Sequence, residues 1–458
     1  MEPMGTMGTM GTMGPMKTMV LLGLMGLVVA CTSEPVVPEE PEMPEEEVEM
    51  PIGASISALP LGDGGVSHDG TRAWVPPTPY VLYDDLYAGS HFTLMTNRTI
   101  DAFFAKETAS GGLPNPLHGK LRYSSSKNVW TFSLPSSSGV KPEDIPAGDY
   151  YAYGYIPRDA ASDATLTTLD PFDPELTFAD GAVITIQGLK SVGNDACICI
   201  GAKDGFSKDY DGKYNNEEGG DPAAYDDGTD SRYDRLKAGD FKFNLKTKVN
   251  PEDKVENYLY LLFDHLCSAV RFNMKVHPEY NKLRTIKLKE LYLRTSSDDD
   301  FTEKTDVTVT LVANTTGSNP ITDVTYTPTG VEDPGGVTWQ TPEDHPEGIA
   351  LTTSYQGFMG HFMPYGVTKL ILTSTYDVYD KNPVKNPDGT DKLDDKGNKI
   401  YNLVRKDCKA MNTLVLKNII ELFKQTERGK LYTINLTIKP TYLYVMSDPD
   451  ADLEIVVD

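Results

Sequence analysis

The residue types that carry most enzyme chemistry are present in this sequence but are not arranged for it. The chain of 458 residues has seven histidines, and none stands beside a serine or cysteine in a recognisable catalytic arrangement. The Gly-x-Ser-x-Gly, His-Glu-x-x-His and phosphate-binding glycine motifs do not occur. Paired carboxylates are expected by chance in a chain with 67 acidic residues. The sequence therefore predicts no catalytic residue, no cofactor and no enzyme.

Cysteine and aspartate could bind a metal at two places. Cys197 and Cys199 would share one face of a strand. They are interpreted as buried apolar positions, because a structural zinc site needs four ligands and no second Cys-rich or His-rich cluster accompanies them. Residues 204–240 are rich in aspartate, and Asp209 and Asp211 are weak calcium candidates. The aspartates do not keep the spacing of the twelve-residue calcium loop, so a solvated insertion is the favoured interpretation.

A covalent modification is predicted at Cys31. Lys17 precedes a short apolar run over residues 20–29, and small residues stand just before the cysteine. The run is too short to span a bilayer as a helix, which needs about 20 residues. Residues 1–30 are therefore predicted to be a secretion signal whose end resembles the lipobox of bacterial lipoproteins, which implies an acylated Cys31 held on a membrane. An ordinary cleaved signal followed by a chance cysteine is the alternative.

The segments on either side of the apolar run differ in charge. Residues 1–15 repeat Met-Gly-Thr without a positive charge, whereas Met16 is followed directly by lysine. We expect Met16 to be the true start of the protein. Residues 31–51 are predicted to be an acidic tether, because residues 32–51 hold eight glutamates and no lysine or arginine. Charge repulsion and proline keep such a segment extended and solvated.

The tether ends in the period-2 pattern of a half-buried strand. Apolar and polar residues alternate over residues 47–58. Pro51 and Gly53 favour a position at the edge of a sheet. A glycine-rich stretch follows, and the bond between Arg72 and Ala73 is where a trypsin-like protease would cut an exposed loop. A loop that merely contains an arginine is the alternative. The apolar positions of the strand are Val48, Met50, Ile52, Ala54, Ile56 and Ala58.

From Trp74 onward the chain is predicted to be rich in strands. Short apolar, β-branched or aromatic runs are bounded by Gly, Pro, Asp and Ser, and residues 270–276 alternate cleanly between apolar and polar types. Residues 414–425 could form one short helix, and residues 380–399 indicate a long, charged hairpin excursion. Strands without βαβ alternation favour a sandwich architecture. Predicted strands lie at residues 91–95, 129–134, 150–156, 182–187, 241–245, 286–293, 307–311, 370–379, 432–438, 441–446 and 453–457.

Several of these features occur together in one known family. They are the lipobox, the acidic spacer, the Thr71-Arg72-Ala73 site, the Phe263-x-His265-Leu266-x-x-x-Val270-x-Phe272 pattern, and two segments at residues 429–436 and 442–450. The Tyr-Leu-Tyr-Val-Met-Ser-Asp-Pro-Asp run of residues 442–450 is the most specific of them. In this combination the chain resembles the fimbrillin-like lipoproteins, the type V pilus proteins of Bacteroidales.

The resemblance implies an all-β fold with two transthyretin-like β-sandwich domains, a few short helices and long loop insertions. The domains would cover residues 73–257 and 258–458, after a first strand and cleavable pro-segment at residues 52–72. The protein would be an outer membrane lipoprotein of the cell surface, and cleavage after Arg72 would remove its first strand. A strand from a neighbouring subunit would fill the resulting groove, and repetition would build a fimbrium.

Physical chemistry supports such a mechanism independently. A sheet that lacks one strand exposes unpaired N–H and C=O groups and an apolar cleft, which an added strand can fill. Head-to-tail donation need not close on itself, so it builds fibres. The candidate donor strand is residues 453–457, although it could be the last strand of its own domain. Its apolar positions are Leu453, Ile455 and Val457.

The predicted partners follow from charge and from the resemblance. A net charge of −25 argues against nucleic acid, whose phosphates require a basic surface. The expected partners are other pilus subunits, the membrane through the lipidated Cys31, and a host or bacterial surface ligand. The alternatives are an anchor subunit that keeps its first strand and a surface glycan-binding lipoprotein, although aromatic residues in strands usually serve packing. The candidate sugar-stacking residues are Trp74, Trp130, Trp339, Tyr151, Tyr153 and Tyr155.

Overall fold

Strands make up nearly all of the regular structure in the computed structural model of this chain. The described residues are 46–63, 82–83, 95–107, 112–126, 129–190, 193–204, 236–245, 257–295, 304–314, 317–329, 337–364, 366–415, 426–440 and 453–457. They belong to one compact unit, Glu45–Asp458. Their helical segments are the helix α1 (Pro278–Asn281) and the 3₁₀ turns Met95–Asn97, Ser136–Ser138, Pro142–Asp144 and Arg158–Ala160.

The strands are numbered in chain order. Those of the first part are β1 (Glu47–Ala58), β2 (Gly62–Asp63), β3 (Thr99–Ala105), β4 (Leu117–Ser124), β5 (Val129–Pro135), β6 (Gly148–Ile156), β7 (Asp163–Thr167), β8 (Gly181–Lys190), β9 (Cys197–Asp204), β10 (Lys242–Leu245) and β11 (Asn257–His265). Those of the second part are β12 (Cys267–Val276), β13 (Arg284–Thr295), β14 (Lys304–Val312), β15 (Ile321–Thr329), β16 (Val337–Gln340), β17 (Ile349–Ala350), β18 (Gln356–Pro364), β19 (Lys369–Pro383), β20 (Tyr401–Val415), β21 (Lys430–Pro440) and β22 (Leu453–Val457).

Seven strands of the first part form a closed, barrel-like sheet, called here the closed sheet. Its order is β6-β3-β4-β5-β1-β11-β9, and β9 pairs again with β6 to complete the ring; β10 pairs with β6 as well. Alternate side chains of a strand point to opposite faces, so one side chain in two faces the interior. The interior is filled by apolar residues such as Phe104, Phe132 and Leu261. A closed sheet has no free edge, which means that every strand of the ring is paired on both sides.

A second sheet, the covering sheet, packs on the outside of the closed sheet. Its order is β15-β14-β8-β7, so the strands β14 and β15 return from the second half of the chain to the first. Tyr151, Tyr153 and Tyr155 of β6 lie in one buried cluster with Ile184 of β8 and Val309 of β14. The packing role predicted for these tyrosines is therefore confirmed.

The remaining strands form two further sheets that enclose a third core. One has the order β18-β12-β21-β2 with β22 also paired to β21, and the other has the order β16-β13-β19-β20 with β17 paired to β13. Phe272 and Ile434 from the first sheet pack with Leu291 and Leu372 from the second. The alternation predicted over residues 270–276 is confirmed, because the apolar positions are buried and the polar ones are half-buried.

The prediction of an all-β fold is confirmed, while the assignment to two transthyretin-like domains remains a prediction. The same holds for the predicted domain division at residue 258. In the structure β11 completes the closed sheet, and β12 begins the next sheet. The hairpin predicted at residues 380–399 is confirmed, since β19 pairs with β20 and the connection carries the bridges Lys385↔Asp391 and Leu393↔Lys399.

Two sequence predictions are wrong where the structure describes the residues concerned. β1 is not an edge strand, because it pairs with both β5 and β11. Pro51 is accommodated because the register against β5 shifts between Glu49 and Gly53, and pairing with β11 begins only at Ile52. The helix predicted at 414–425 does not begin at its predicted first residue, because β20 extends through position 415. The rest of that segment, with residues 91–94 and 441–446, lies outside the described residues, and Met95, the last residue of the strand predicted at 91–95, lies in a 3₁₀ turn instead.

The helices of the described residues are too short and insufficiently apolar to cross a membrane.

Candidate functional site

The strand predicted to be removable, β1, lies in the middle of the closed sheet. It runs antiparallel to β5, with Val48 opposite Leu134, and parallel to β11, with Ala54 opposite Leu259. It is also the first strand of the chain that the structure describes. β1 therefore joins two strands that come much later in the sequence, and the ring is complete only while it is in place.

The inward face of β1 fills part of the closed sheet's interior. Met50, Ile52, Ala54 and Ala58 are buried there, with exposed fractions of 0–1%, and Val48 and Ile56 pack against the same cluster while partly buried. The predicted inward positions are thus confirmed, but the strand is not half-buried as predicted, because Gly53 and Ser57 on its other face are buried too. Burial of a methionine or isoleucine side chain stabilises a fold by about 1.5–3 kcal/mol. The strand is held by apolar packing as well as by two rows of backbone hydrogen bonds.

The N-terminal end of β1 is fixed by polar contacts. The carbonyl oxygen of Glu46 accepts hydrogen bonds from the backbone N–H and the hydroxyl of Ser136, at 2.8 and 2.7 Å. On the outer face, Glu47 Oε1 lies 2.9 Å from Lys120 Nζ and 2.9 Å from Arg122 Nη2, both on β4. These contacts link the first residues of β1 to elements that follow it by more than seventy positions.

The C-terminal end of β1 is fixed by β11. The N–H of Leu59 donates to the carbonyl of Phe263 at 2.8 Å. The carbonyl of Leu59 accepts a hydrogen bond from His265 Nε2 at 2.7 Å. The other ring nitrogen, Nδ1, lies 2.6 Å from Asp195 Oδ1. The buried Asp195–His265 pair orients the imidazole toward the end of β1.

Asp195, Cys197 and His265 form a buried group with metal-ligand chemistry. Cys197 Sγ lies 3.3 Å from His265 Nδ1 and 3.4 Å from Asp195 Oδ1. Zinc takes these ligand types, and its binding would require the three groups to be deprotonated at the ligand atoms. Burial and the neighbouring Asp195 charge raise the pKa of the Cys197 thiol well above its usual value. The sulfur therefore stays protonated and is a poor nucleophile.

This buried group was not predicted from the sequence. Cys197 was interpreted as an apolar position, and it is indeed buried in the closed-sheet core. His265 entered only as part of a family motif. The partners come together because Cys197 on β9 pairs directly with His265 on β11, and Asp195 stands just before β9. The sequence would have revealed this buried group only if β9 and β11 had been recognised as neighbouring strands.

Other predicted site residues are placed as follows. Cys31, Arg72, Ala73, Asp209 and Asp211 lie outside the described residues, so the lipidation, cleavage and calcium predictions stay predictions. The candidate donor strand, residues 453–457, forms β22 and pairs antiparallel with β21 of its own chain. That is the arrangement of a last strand in its own sheet.

Two of the candidate sugar-stacking tryptophans are described, and both are buried. Trp130 is 8% exposed and packs beside Tyr123, and Trp339 is 9% exposed and meets Phe358 edge to face. Trp74 lies outside the described residues. Neither described tryptophan offers a broad ring face to a sugar, so both serve packing.

No protein-family model matches the chain, and no curated protein matches it. Among solved structures, it is similar to a candidate cell adhesion protein from Bacteroides uniformis, with 10% identity and a TM-score of 0.30, over 82% of this chain and 97% of that one. A candidate cell adhesion protein from Bacteroides ovatus has 9% identity and a TM-score of 0.33, over 90% and 96%. The tip fimbrial protein Mfa3 from Porphyromonas gingivalis, with C-terminal truncation, has 10% identity and a TM-score of 0.20, over 79% and 93%. Likenesses this weak do not by themselves assign a fold or an activity.

Proposed function

We propose that this protein is a structural and adhesive subunit of a surface filament, exported as a lipoprotein and assembled by exchange of strand β1. The observation that supports this function is the position of β1. It is internal to a closed sheet, yet it precedes the other described strands in the sequence. One cut after Arg72 would therefore separate β1 and the two-residue β2 from the rest without breaking any other described strand.

Loss of β1 would leave a groove between β5 and β11, called here the groove. Its walls would be the backbone N–H and C=O groups of β5 and β11 that β1 now pairs with. Its floor would be the apolar interior of the closed sheet, which the inward face of β1 now covers. Unpaired strand edges and exposed apolar surface are both costly in water. An extended strand from another subunit would cover both at once.

Residues 453–457 are the proposed donor strand. In the described part of the chain, β22 pairs along one side only, through five residue pairs with β21. In the groove of a neighbouring subunit the same strand would lie between β5 and β11, in the place that β1 now occupies. Since donor and acceptor are different surfaces, the contact would repeat into a fibre.

The test is limited trypsin treatment of purified protein, followed by intact mass measurement and size-exclusion chromatography. The proposal predicts one early cut after Arg72, loss of the N-terminal fragment, and a shift to higher oligomers. An Arg72→Gln variant is the matched control and should stay uncut at this position and monomeric. A wild-type protein that is cut after Arg72, loses its fragment and stays monomeric would contradict the proposal.

An anchor subunit that keeps β1 is the second candidate. It is favoured by the polar contacts at both ends of the strand, namely the Glu47 ion pairs and the hydrogen bond from His265 to Leu59. These contacts hold β1 in place even where the chain after it is cut. Persistence of the fragment on the protein after cleavage, with no oligomers, would support the anchor over the filament subunit.

A further inference from the structure

We infer that Lys120 and Arg122 select the strand that replaces β1, by requiring an acidic residue where Glu47 now lies, and that Asp452 of a second copy of this chain supplies it. The inference rests on the proposed function, since it concerns the strand that enters the groove. It adds a specificity-determining pair of residues and fixes the register of the incoming strand.

The geometry around Glu47 is unusual for a surface ion pair. A single carboxylate oxygen, Glu47 Oε1, contacts both cations at 2.9 Å. The side chains of Lys120 and Glu47 are only 17% and 18% exposed, whereas that of Arg122 is 55% exposed. Exposed ion pairs contribute little because water and salt screen them, but a largely buried pair is costly to break from one side.

Removal of β1 would take this carboxylate away from both cations. The neighbouring basic side chains of His118 and Arg158 would keep their partner, because they contact Asp101 of β3 at 2.9 and 2.8 Å. Asp101 would stay when β1 leaves. Lys120 and Arg122 would instead remain next to each other on β4 without the Glu47 carboxylate that both now contact. An incoming carboxylate would restore that charge.

The sequence of the proposed donor strand matches that of β1 in type and order. β1 begins Glu47-Val48-Glu49-Met50-Pro51-Ile52, and the chain near its end reads Asp452-Leu453-Glu454-Ile455-Val456-Val457. In both segments the residue types follow the same order: acidic, apolar, acidic, apolar, variable and apolar. With Asp452 at the position of Glu47, the apolar residues at 453, 455 and 457 would take the inward positions of residues 48, 50 and 52.

In this register the incoming strand also runs in the same direction as β1. A replacement that runs as β1 does is antiparallel to β5 and parallel to β11. Period-2 alternation then places Asp452 on the outer face, where the two cations lie. Aspartate is one methylene shorter than glutamate, a difference that the long, flexible side chains of Lys120 and Arg122 can cover. A register shifted by two residues would place Glu454 there instead.

The test uses trypsin-trimmed protein, freshly separated from its N-terminal fragment, and fluorescein-labelled peptides with the sequence of residues 447–458. Binding is measured by fluorescence anisotropy at low and high salt for the unchanged peptide and three variants, Asp452→Lys, Glu454→Lys and Ile455→Asp. The two lysine variants have the same net charge, so they separate a specific contact from general attraction. A Lys120→Glu protein is tested with the same peptides.

The unchanged peptide should bind, and Asp452→Lys should weaken binding about tenfold or more, with the difference shrinking at high salt. The Lys120→Glu protein should reverse this order and prefer the Asp452→Lys peptide to the unchanged one, whereas it should show no such preference for the Glu454→Lys peptide. If no peptide binds, the proposed strand exchange itself fails. If the unchanged and Asp452→Lys peptides bind alike, or if the Lys120→Glu protein does not prefer the Asp452→Lys peptide, the selection by Asp452 is refuted while strand exchange stands.

Discussion

Truncation of Ile52 tests how β1 is held. The side chain is 0% exposed and belongs to the core of the closed sheet. Shortening a buried isoleucine to alanine costs about 2–5 kcal/mol, through lost burial and the cavity that remains. Ile52 lies on β1, and its packing partners in the core are mostly on other strands. The cost of Ile52→Ala should therefore be a loss of affinity between β1 and the rest of the protein, about 30-fold to about 4,000-fold.

The assay follows release of the N-terminal fragment after cleavage at Arg72. Cut protein is diluted, and the fraction that still carries the fragment is measured over time by chromatography and intact mass. Ile52→Val is the matched control at the same position, because removal of one methyl group costs about 0.5–1.5 kcal/mol and should change release about tenfold at most. Release of the Ile52→Ala fragment at the rate of the control would refute the view that interior packing holds β1.

Three further predictions concern the scaffold. Gly119→Ala should lower the free energy of unfolding by about 1–3 kcal/mol in urea titrations, because an added Cβ would lie 2.3 Å from a backbone oxygen of β5; an unchanged midpoint would contradict this. In native protein at pH 8, Cys408 should react with a thiol reagent well before Cys199. Burial raises the pKa of the Cys199 thiol to about 12, so its thiolate is scarce at pH 8. Equal reaction rates of the two cysteines would contradict the burial of Cys199. Arg428→Met should cost about 3–5 kcal/mol by removing the ion pair, at 2.6 Å, with the fully buried Asp264, and Arg428→Lys should cost clearly less.

The sequence predicted local features of β1 well and its neighbours poorly. Alternation of apolar residues correctly indicated which side chains face the core, because that pattern depends only on the strand's own geometry. Pro51 suggested an edge strand, since proline cannot donate to a ladder. The prediction failed because a register shift places Pro51 where the ladder is already interrupted. Such a shift depends on the partner strand, which the sequence of β1 does not contain.

Contacts between distant residues account for the other differences. Glu47 was assigned with the acidic tether, yet it is an anchored residue of the fold because Lys120 and Arg122 lie across the sheet from it. Asp195 and His265 are separated by 70 residues and meet only because β9 pairs with β11. Sequence periodicity carries no information on such pairings. The candidate site is built mainly from them, so its residue types were visible and its geometry was not.

Locking β1 in place with a reversible bond tests whether assembly requires this strand to leave the closed sheet. Glu49 of β1 lies directly opposite Ser133 of the antiparallel β5. Opposite residues in antiparallel strands have Cα atoms about 4.5–5.5 Å apart, within the range that a disulfide can bridge. The protein to make is Glu49→Cys with Ser133→Cys, together with Cys408→Ser to remove the described cysteine that is not buried.

After oxidation and cleavage at Arg72, the fragment should stay attached and the protein should remain monomeric in size-exclusion chromatography. Addition of a reductant should then release the fragment and produce higher oligomers in the same sample. Oligomers that form equally well before reduction would contradict the claim that assembly requires β1 to leave. Fragment release on reduction without any oligomers would contradict the claim that a second copy fills the groove.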